Sequence, residues 1–127
     1  MPPTPAPHIL VVDDDPDARE LLEFVLRRAG FRVTVMADST EVLDLLTTTD
    51  FDAFILDALM PEITGIELCR KIRSVDQKTP VFFCSAAAAP SDKAAALSTG
   101  AQAYFVKPFD PYELTTTLRA ALNMPRS

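Results

Sequence analysis

Four short apolar runs, each stopping at a polar or charged residue, and one alternating run, all five followed by helical spacing, constrain this chain more than any other feature. Residues 9–12 (Ile-Leu-Val-Val) stop at Asp13, Asp14 and Asp15, and Pro16 is a favourable first helical residue. Leu21, Leu22, Val25, Leu26 and Ala29 then recur at helical spacing, and Gly30 can take the left-handed conformation that closes a helix. Phe31, Val33 and Val35 alternate as a second strand, and Ser39 is expected to cap a helix carrying Val42, Leu43, Leu45 and Leu46. Residues 51–56 read as a buried third strand ending at Asp57. Thr64 with Glu67 forms a capping box for a helix with Ile66, Leu68 and Ile72, and residues 81–84 make a fourth strand. Residues 91–99 are a short Ala-rich helix ended by Gly100, and residues 103–106 a fifth strand. Asp110, Pro111 and Glu113 open a last helix through Leu114, Leu118 and Leu122.

Strands that are apolar almost throughout and alternate with helices belong in a parallel sheet covered on both faces, joined by right-handed crossovers. The expected fold class is therefore α/β: a doubly wound, flavodoxin-like sandwich of five parallel strands in the order 2-1-3-4-5, with five helices. A length of 127 residues suits one domain. Prolines at positions 2, 3, 5 and 7 make residues 1–7 a flexible, extended tail ahead of a domain spanning 8–127. Twelve basic against eighteen acidic residues give a net charge of -6, and the Lys and Arg are scattered, which argues against direct nucleic-acid binding. No apolar run approaches the ~20 residues of a membrane span, and residues 1–7 lack the features of a secretory signal, so a cytoplasmic setting is expected. Cys69 and Cys84 form no CxxC pair and read as reduced, buried thiols. With His8 the only histidine, histidine-based catalysis or metal binding has little to work with.

In that strand order the ligand cleft lies beyond the carboxyl ends of strands 1 and 3, which carry Asp13, Asp14 and Asp57. Two carboxylates about 4 Å apart at an effective dielectric near 20 repel by about 4 kcal/mol, so a compensating cation is expected. An all-oxygen ligand set suits Mg²⁺, with Mn²⁺ as a substitute and Zn²⁺ disfavoured. The plainer reading, a capping Asp15 among solvated loop acids, does not account for Asp57 directly after a buried strand. Ser85 and Lys107 end the fourth and fifth strands. A hydroxyl and an ammonium converging on a divalent cation describe a site for phosphoryl oxygens.

Residues 9–16 (Ile-Leu-Val-Val-Asp-Asp-Asp-Pro), 56–65 (Leu-Asp-Ala-Leu-Met-Pro-Glu-Ile-Thr-Gly), 84–86 (Cys-Ser-Ala) and 104–109 (Tyr-Phe-Val-Lys-Pro-Phe) together resemble the receiver domain of two-component response regulators. The likeness covers roughly residues 8–122. It implies a phosphorylation-activated signalling switch in which Asp57 is the phosphoacceptor for a phosphohistidine of a sensor histidine kinase or histidine phosphotransfer protein. It further implies that Asp14 and Asp57 ligate Mg²⁺, Asp13 acts mostly through coordinated water, and the main-chain carbonyl of Leu59 completes the protein ligands. Ser85 and Lys107 would hold the phosphoryl oxygens, Ser85 and Tyr104 would form the switch, and the Lys107–Pro108 bond is similar to one that is cis in the family. A downstream protein would be met by the face of the fourth helix, fifth strand and fifth helix.

The resemblance implies no turnover enzyme beyond self-phosphorylation and dephosphorylation. A haloacid-dehalogenase-like phosphatase uses a second Asp two residues after its nucleophile, where this chain has Leu59. The alternative of an unphosphorylated, receiver-like interaction module should lack one or more of Asp14, Asp57, Ser85 and Lys107, and all four are present. Flavin or nucleotide binding wants a Gly-rich loop, whereas Gly30, Gly65 and Gly100 each fit a helix boundary. Thr64, where the family often has Asp, is explained by its capping box. The short stretch after the last helix favours a single-domain regulator over the receiver portion of a longer protein.

Overall fold

The computed structural model describes residues 5–123. Along the chain run β1 (His8–Val12), α1 (Pro16–Arg28), β2 (Arg32–Met36), a 3₁₀ turn (Ser39–Glu41), α2 (Val42–Leu46) and β3 (Ala53–Leu56). They are followed by α3 (Gly65–Val75), β4 (Val81–Ser85), α4 (Pro90–Ser98), β5 (Ala103–Val106) and α5 (Pro111–Ala121). All strand pairs are parallel, as the alternation of strands and helices implies, and the order is β2-β1-β3-β4-β5, the flavodoxin-like one expected.

Successive side chains of a strand point to opposite faces, and the core divides accordingly. Leu10, Val12, Phe54, Leu56, Val81 and Phe83 face the layer of α2, α3 and α4, where Val42, Leu68, Cys69, Ile72 and Ala96 meet them. Ile9, Val11, Ala53, Ile55, Phe82 and Cys84 face α1 and α5, where Leu22, Leu26, Leu114 and Leu118 are buried. Burying a side chain of this size contributes about 1.5–3 kcal/mol, so the two half-cores dominate the fold's stability. Both cysteines are free and buried, and burial pushes the Cys84 thiol up to about 12.

Local signals place the helix ends. The Asp15 carboxylate accepts the Asp17 N–H at 3.1 Å ahead of α1, and Asp110 accepts those of Tyr112 and Glu113 ahead of α5. At α3 the expected capping box is present in both directions: Thr64 Oγ1 accepts the Glu67 N–H and Glu67 Oε1 accepts the Thr64 N–H. Gly30 and Gly100 both have positive φ, two residues past the ends of α1 and α4 respectively. One expected cap is different. Asp38, not Ser39, caps the second helical segment, its carboxylate accepting the Thr40 N–H at 2.9 Å. Ser39 lies inside the 3₁₀ turn, buried, and donates its hydroxyl to the Ile63 carbonyl at 2.8 Å. A carboxylate one residue earlier outcompetes a hydroxyl for the free amide, which releases Ser39 to tie two loops together.

The proposed tail is only partly within the described residues, with 1–4 and 124–127 outside them. The Ala6 and Pro7 carbonyls accept from the Arg32 side chain at 2.7 Å and from its main-chain N–H at 2.9 Å, so pairing along β2 starts just before β1. His8, at the start of β1, joins its Nε2 to Thr34 Oγ1 at 2.7 Å and tilts its ring against Phe51. Burial lowers its pKa, Arg32 and Arg27 lower it further, and Asp52 opposes them. A depressed folded-state pKa means stability that is present above the unfolded value near 6.5 and is lost as pH falls from there through the folded pKa. Denaturant midpoints measured between pH 7.5 and 5 should therefore decline less in His8→Gln than in the parent. A parallel decline in both would remove His8 from the pH response.

Candidate functional site

Because every strand runs the same way, all five carboxyl ends reach one edge of the sheet. The main-chain ladder continues one step past the strands there: Asp13 N–H donates to Met36 O, Asp57 N–H to Val12 O and Lys107 N–H to Ser85 O. Asp13, Asp57 and Lys107 are thus held by sheet hydrogen bonds, and Ser85 is the last residue of β4. Lys107 and the three acids come together here, while the Ser85 hydroxyl faces the Ala87 N–H. Lys107 Nζ lies 2.7 Å from Asp13 Oδ2 and 3.1 Å from Asp57 Oδ2. One carboxylate oxygen from each of Asp13, Asp14 and Asp57 falls within 4.8 Å of the others. Asp13 and Asp57 are buried and Asp14 is exposed, so the cluster opens to solvent on the Asp14 side.

Electrostatics make this edge costly. Burial raises the Asp13 pKa, the Lys107 and Asp15 hydrogen bonds work against it, and the Asp57 charge adds to the rise. At Lys107 burial pulls the pKa down, but the bonds to Asp13 and Asp57 outweigh it and the net shift is upward. Three carboxylates and one ammonium leave two uncompensated negative charges, the complement of one divalent cation. Oxygens sharing one Mg²⁺ stand at most about 4.2 Å apart, so this all-oxygen cluster fits such an ion with little adjustment.

Around the acids, Asp57 Oδ1 accepts the Leu59 N–H at 2.9 Å, and the Leu59 side chain stands at the rim, 58% exposed. Ser85 is fully buried and its Oγ accepts the Ala87 N–H at 3.3 Å. The Tyr104 hydroxyl donates to the Ala87 carbonyl at 2.6 Å while its ring stacks on Phe83. Ser85 and Tyr104 therefore meet the same residue of the β4–α4 loop, and burial raises the phenol's pKa. The Lys107–Pro108 bond is cis. A cavity of about 810 Å³ between α2 and α3, lined by Leu43, Phe51, Phe54 and Val75, contains none of the candidate site residues.

Gly65 has a role that a helix-boundary reading does not supply. A Cβ there would lie 2.0 Å from the Asp57 carbonyl oxygen and 2.9 Å from Ala58 Cα, while the Gly65 N–H donates to the Ala58 carbonyl. The first turn of α3 presses on the backbone of Asp57 itself. A glycine at the opening of a helix, where propensity disfavours it, is the signal that could have marked this contact.

Two substitutions probe these forces. Gly65→Ala should lower stability by about 2 kcal/mol or more, through overpacking against main chain that cannot yield. Asp13→Asn should instead raise the melting temperature in metal-free buffer, because it removes a buried charge whose pKa is raised, while reducing the stabilisation gained from added Mg²⁺. Thermal melts in EDTA and in Mg²⁺ check both.

Residues 9–119 match the family model for the response regulator receiver domain. Response regulator MprA of Mycobacterium sp. (strain KMS) is 40% identical over 114 residues, which cover 90% of this chain and 50% of that protein. The chain thus spans about half the length of the curated relatives it matches. The receiver domain of Francisella response regulator 1452 superposes with a TM-score of 0.85 at 31% identity, covering 92% of this chain and 97% of that one. The BeF3-activated DrrB receiver domain does so with a TM-score of 0.85 at 25% identity, covering 93% and 98%. With the fold, the strand-end residues and a family match running from β1 into α5 in agreement, this chain belongs to the response regulator receiver domains of two-component systems.

Proposed function

We propose that this receiver domain accepts a phosphoryl group on Asp57 from a phosphohistidine of a sensor histidine kinase or histidine phosphotransfer protein, and so acts as a phosphorylation-activated switch. The observation that carries this reading is the Asp57 carboxylate, 3.1 Å from the Lys107 ammonium within a cluster of three acids. A carboxylate oxygen of Asp57 forms the new O–P bond as the N–P bond of the donor breaks, and the imidazole leaves with the electron pair. Chemistry of this kind is mostly positioning and charge neutralisation. Mg²⁺, or Mn²⁺ in its place, would supply positive charge to the phosphoryl oxygens when bound. Asp14 and Asp57 would hold it directly, Asp13 mostly through water, and the Leu59 main-chain carbonyl would complete the set. Lys107 would donate to one phosphoryl oxygen and the Ser85 hydroxyl to another.

Readout would pass through the Ser85 and Tyr104 contacts with the β4–α4 loop to the face of α4, β5 and α5, where a downstream protein would bind. In this structure Tyr104 is already half-buried with its hydroxyl on Ala87, so the proposed movement centres on residues 86–89, with the ring following. No helix among the described residues is long and apolar enough to cross a membrane. A cytoplasmic setting, no direct contact with nucleic acid and no turnover beyond the aspartyl phosphate itself complete the proposal.

Incubation with acetyl phosphate and Mg²⁺, followed by intact-mass analysis, should show one added phosphoryl group on the parent and none on Asp57→Asn. Lys107→Ala should slow the labelling by roughly 10²-fold, the usual scale for losing one preorganised donor. Label retained in Asp57→Asn would place the nucleophile elsewhere. A parent that stays unlabelled would favour an interaction module that works without phosphorylation.

A further inference from the structure

Asp13 is held at every polar atom. Its N–H donates to Met36 O, its Oδ1 accepts the Asp15 N–H at 2.9 Å, and its Oδ2 accepts from Lys107 Nζ. The remaining atom, the main-chain oxygen, accepts from Arg19 Nη1 at 2.9 Å. Asp14 has the opposite character. It is exposed, and its carboxylate takes part in no hydrogen bond or ion pair among the described residues. The aim of that carboxylate therefore rests on the backbone. The unit that sets it is the planar Asp13–Asp14 peptide, whose oxygen is the atom Arg19 grips.

Arg19 is out of place by local rules. It sits in the opening turns of α1, where the helix dipole disfavours a cation. It makes no ion pair among the described residues, and its guanidinium bonds the carbonyl of an aspartate rather than a carboxylate. A side chain present only to offset acidic charge would pair with a carboxylate. A breach of local preference next to a site is a mark of a residue kept for what it positions.

We propose that Arg19 is a positioning residue for the divalent-cation site: by holding the Asp13 carbonyl it fixes the peptide that directs Asp14 toward the Asp13 and Asp57 carboxylates. The inference rests on the metal-binding part of the proposed function. Its strength is that charge and position predict opposite signs. Removing a nearby cation should by charge alone tighten binding of a divalent ion, whereas loosening Asp14 should weaken it.

Mn²⁺ titration followed by the electron paramagnetic resonance of the free ion, with Mg²⁺ thermal shifts alongside, separates the two. Arg19→Ala and Arg19→Met should bind Mn²⁺ roughly tenfold more weakly than the parent, the lower end for losing a residue that orients a ligand. Arg19→Lys, which keeps the charge and one donor, should recover part of the loss. In Arg19→Met the Mg²⁺ concentration needed for half-maximal uptake of phosphoryl groups from acetyl phosphate should rise by a similar factor. Melts in EDTA, together with circular dichroism, identify any variant that has lost its fold, and Arg19→Met retains the side chain's apolar stem. Unchanged or tighter Mn²⁺ binding in a folded Arg19→Met would overturn the proposal. Failure of the parent itself to bind Mn²⁺ or Mg²⁺ would instead overturn the metal reading, and this inference with it.

Discussion

One ammonium facing three carboxylates governs the site. Lys107 bridges Asp13 and Asp57, and its single charge cannot balance both together with Asp14. The arrangement persists because its members are fixed by other means: the ladder bonds of Asp13, Asp57 and Lys107 belong to the sheet and are indifferent to side-chain charge. Repulsion of about 4 kcal/mol for a close carboxylate pair is large beside the 5–15 kcal/mol that separates folded from unfolded domains. It is supportable here because two apolar layers fill both faces of the sheet immediately behind it. Stability produced in the core maintains a charge imbalance at the edge, and an imbalance of two negative charges is what one divalent cation would offset in the proposed role.

The parallel sheet does more than support the site; it dictates who takes part. Beyond Val12, Leu56 and Val106 the next residues are Asp13, Asp57 and Lys107, each emerging at the same edge because the registers align those strand ends. Connections at this edge then decide access. The loop from β3 to α3 brings Gly65 back against Asp57, and a side chain there would displace the Asp57 backbone. Ser39 ties the same loop, through Ile63, to the turn after β2. Two residues with no functional group in the pocket thus hold the loop that carries Leu59, whose N–H reaches Asp57 Oδ1.

The fold class was legible because four of the strands are apolar nearly end to end, a pattern that two-sided coverage explains, whereas the strand order followed from the flavodoxin-like arrangement assumed for it. Strand-end acids, hydroxyl and amine were legible for the same reason: once the strands are placed, their next residues must share an edge. Asp38 was missed as a cap because Ser39 is also a good one, and single-residue offsets at helix starts are decided by local geometry. Arg19 was missed because its partner is a main-chain oxygen, which leaves no mark in a pattern of side chains. Gly65 was assigned to a helix boundary, which it is, but contact with Asp57 is a tertiary fact about two segments eight residues apart in sequence.

A weakly anchored helix lies beside the site, on the side where readout is proposed. α4 buries Ala96 alone among its nine residues, whereas α3 buries Gly65, Leu68, Cys69 and Ile72. Its cap, Ala89, has no polar side chain, and the Asp92 carboxylate reaching back to the Ala89 N–H is the one side-chain bond beside the main-chain bonds that close the first turn. Nine residues are too few for a helix to hold itself together in water, so its position is set by its ends. At one end, the Thr99 carbonyl meets the Cys69 thiol and Arg73 takes the next carbonyl, that of Gly100. At the other, the chain runs from Ser85 through four alanines, whose fixed points are the Ser85 hydroxyl and the Tyr104 phenol, both on Ala87. A helix clamped at its C-terminal end and tethered at its N-terminal end by two hydrogen bonds at one alanine responds to whatever changes those bonds. In the proposed role the change would come from a phosphoryl group drawing on Ser85, with Tyr104 reporting it to the outer face.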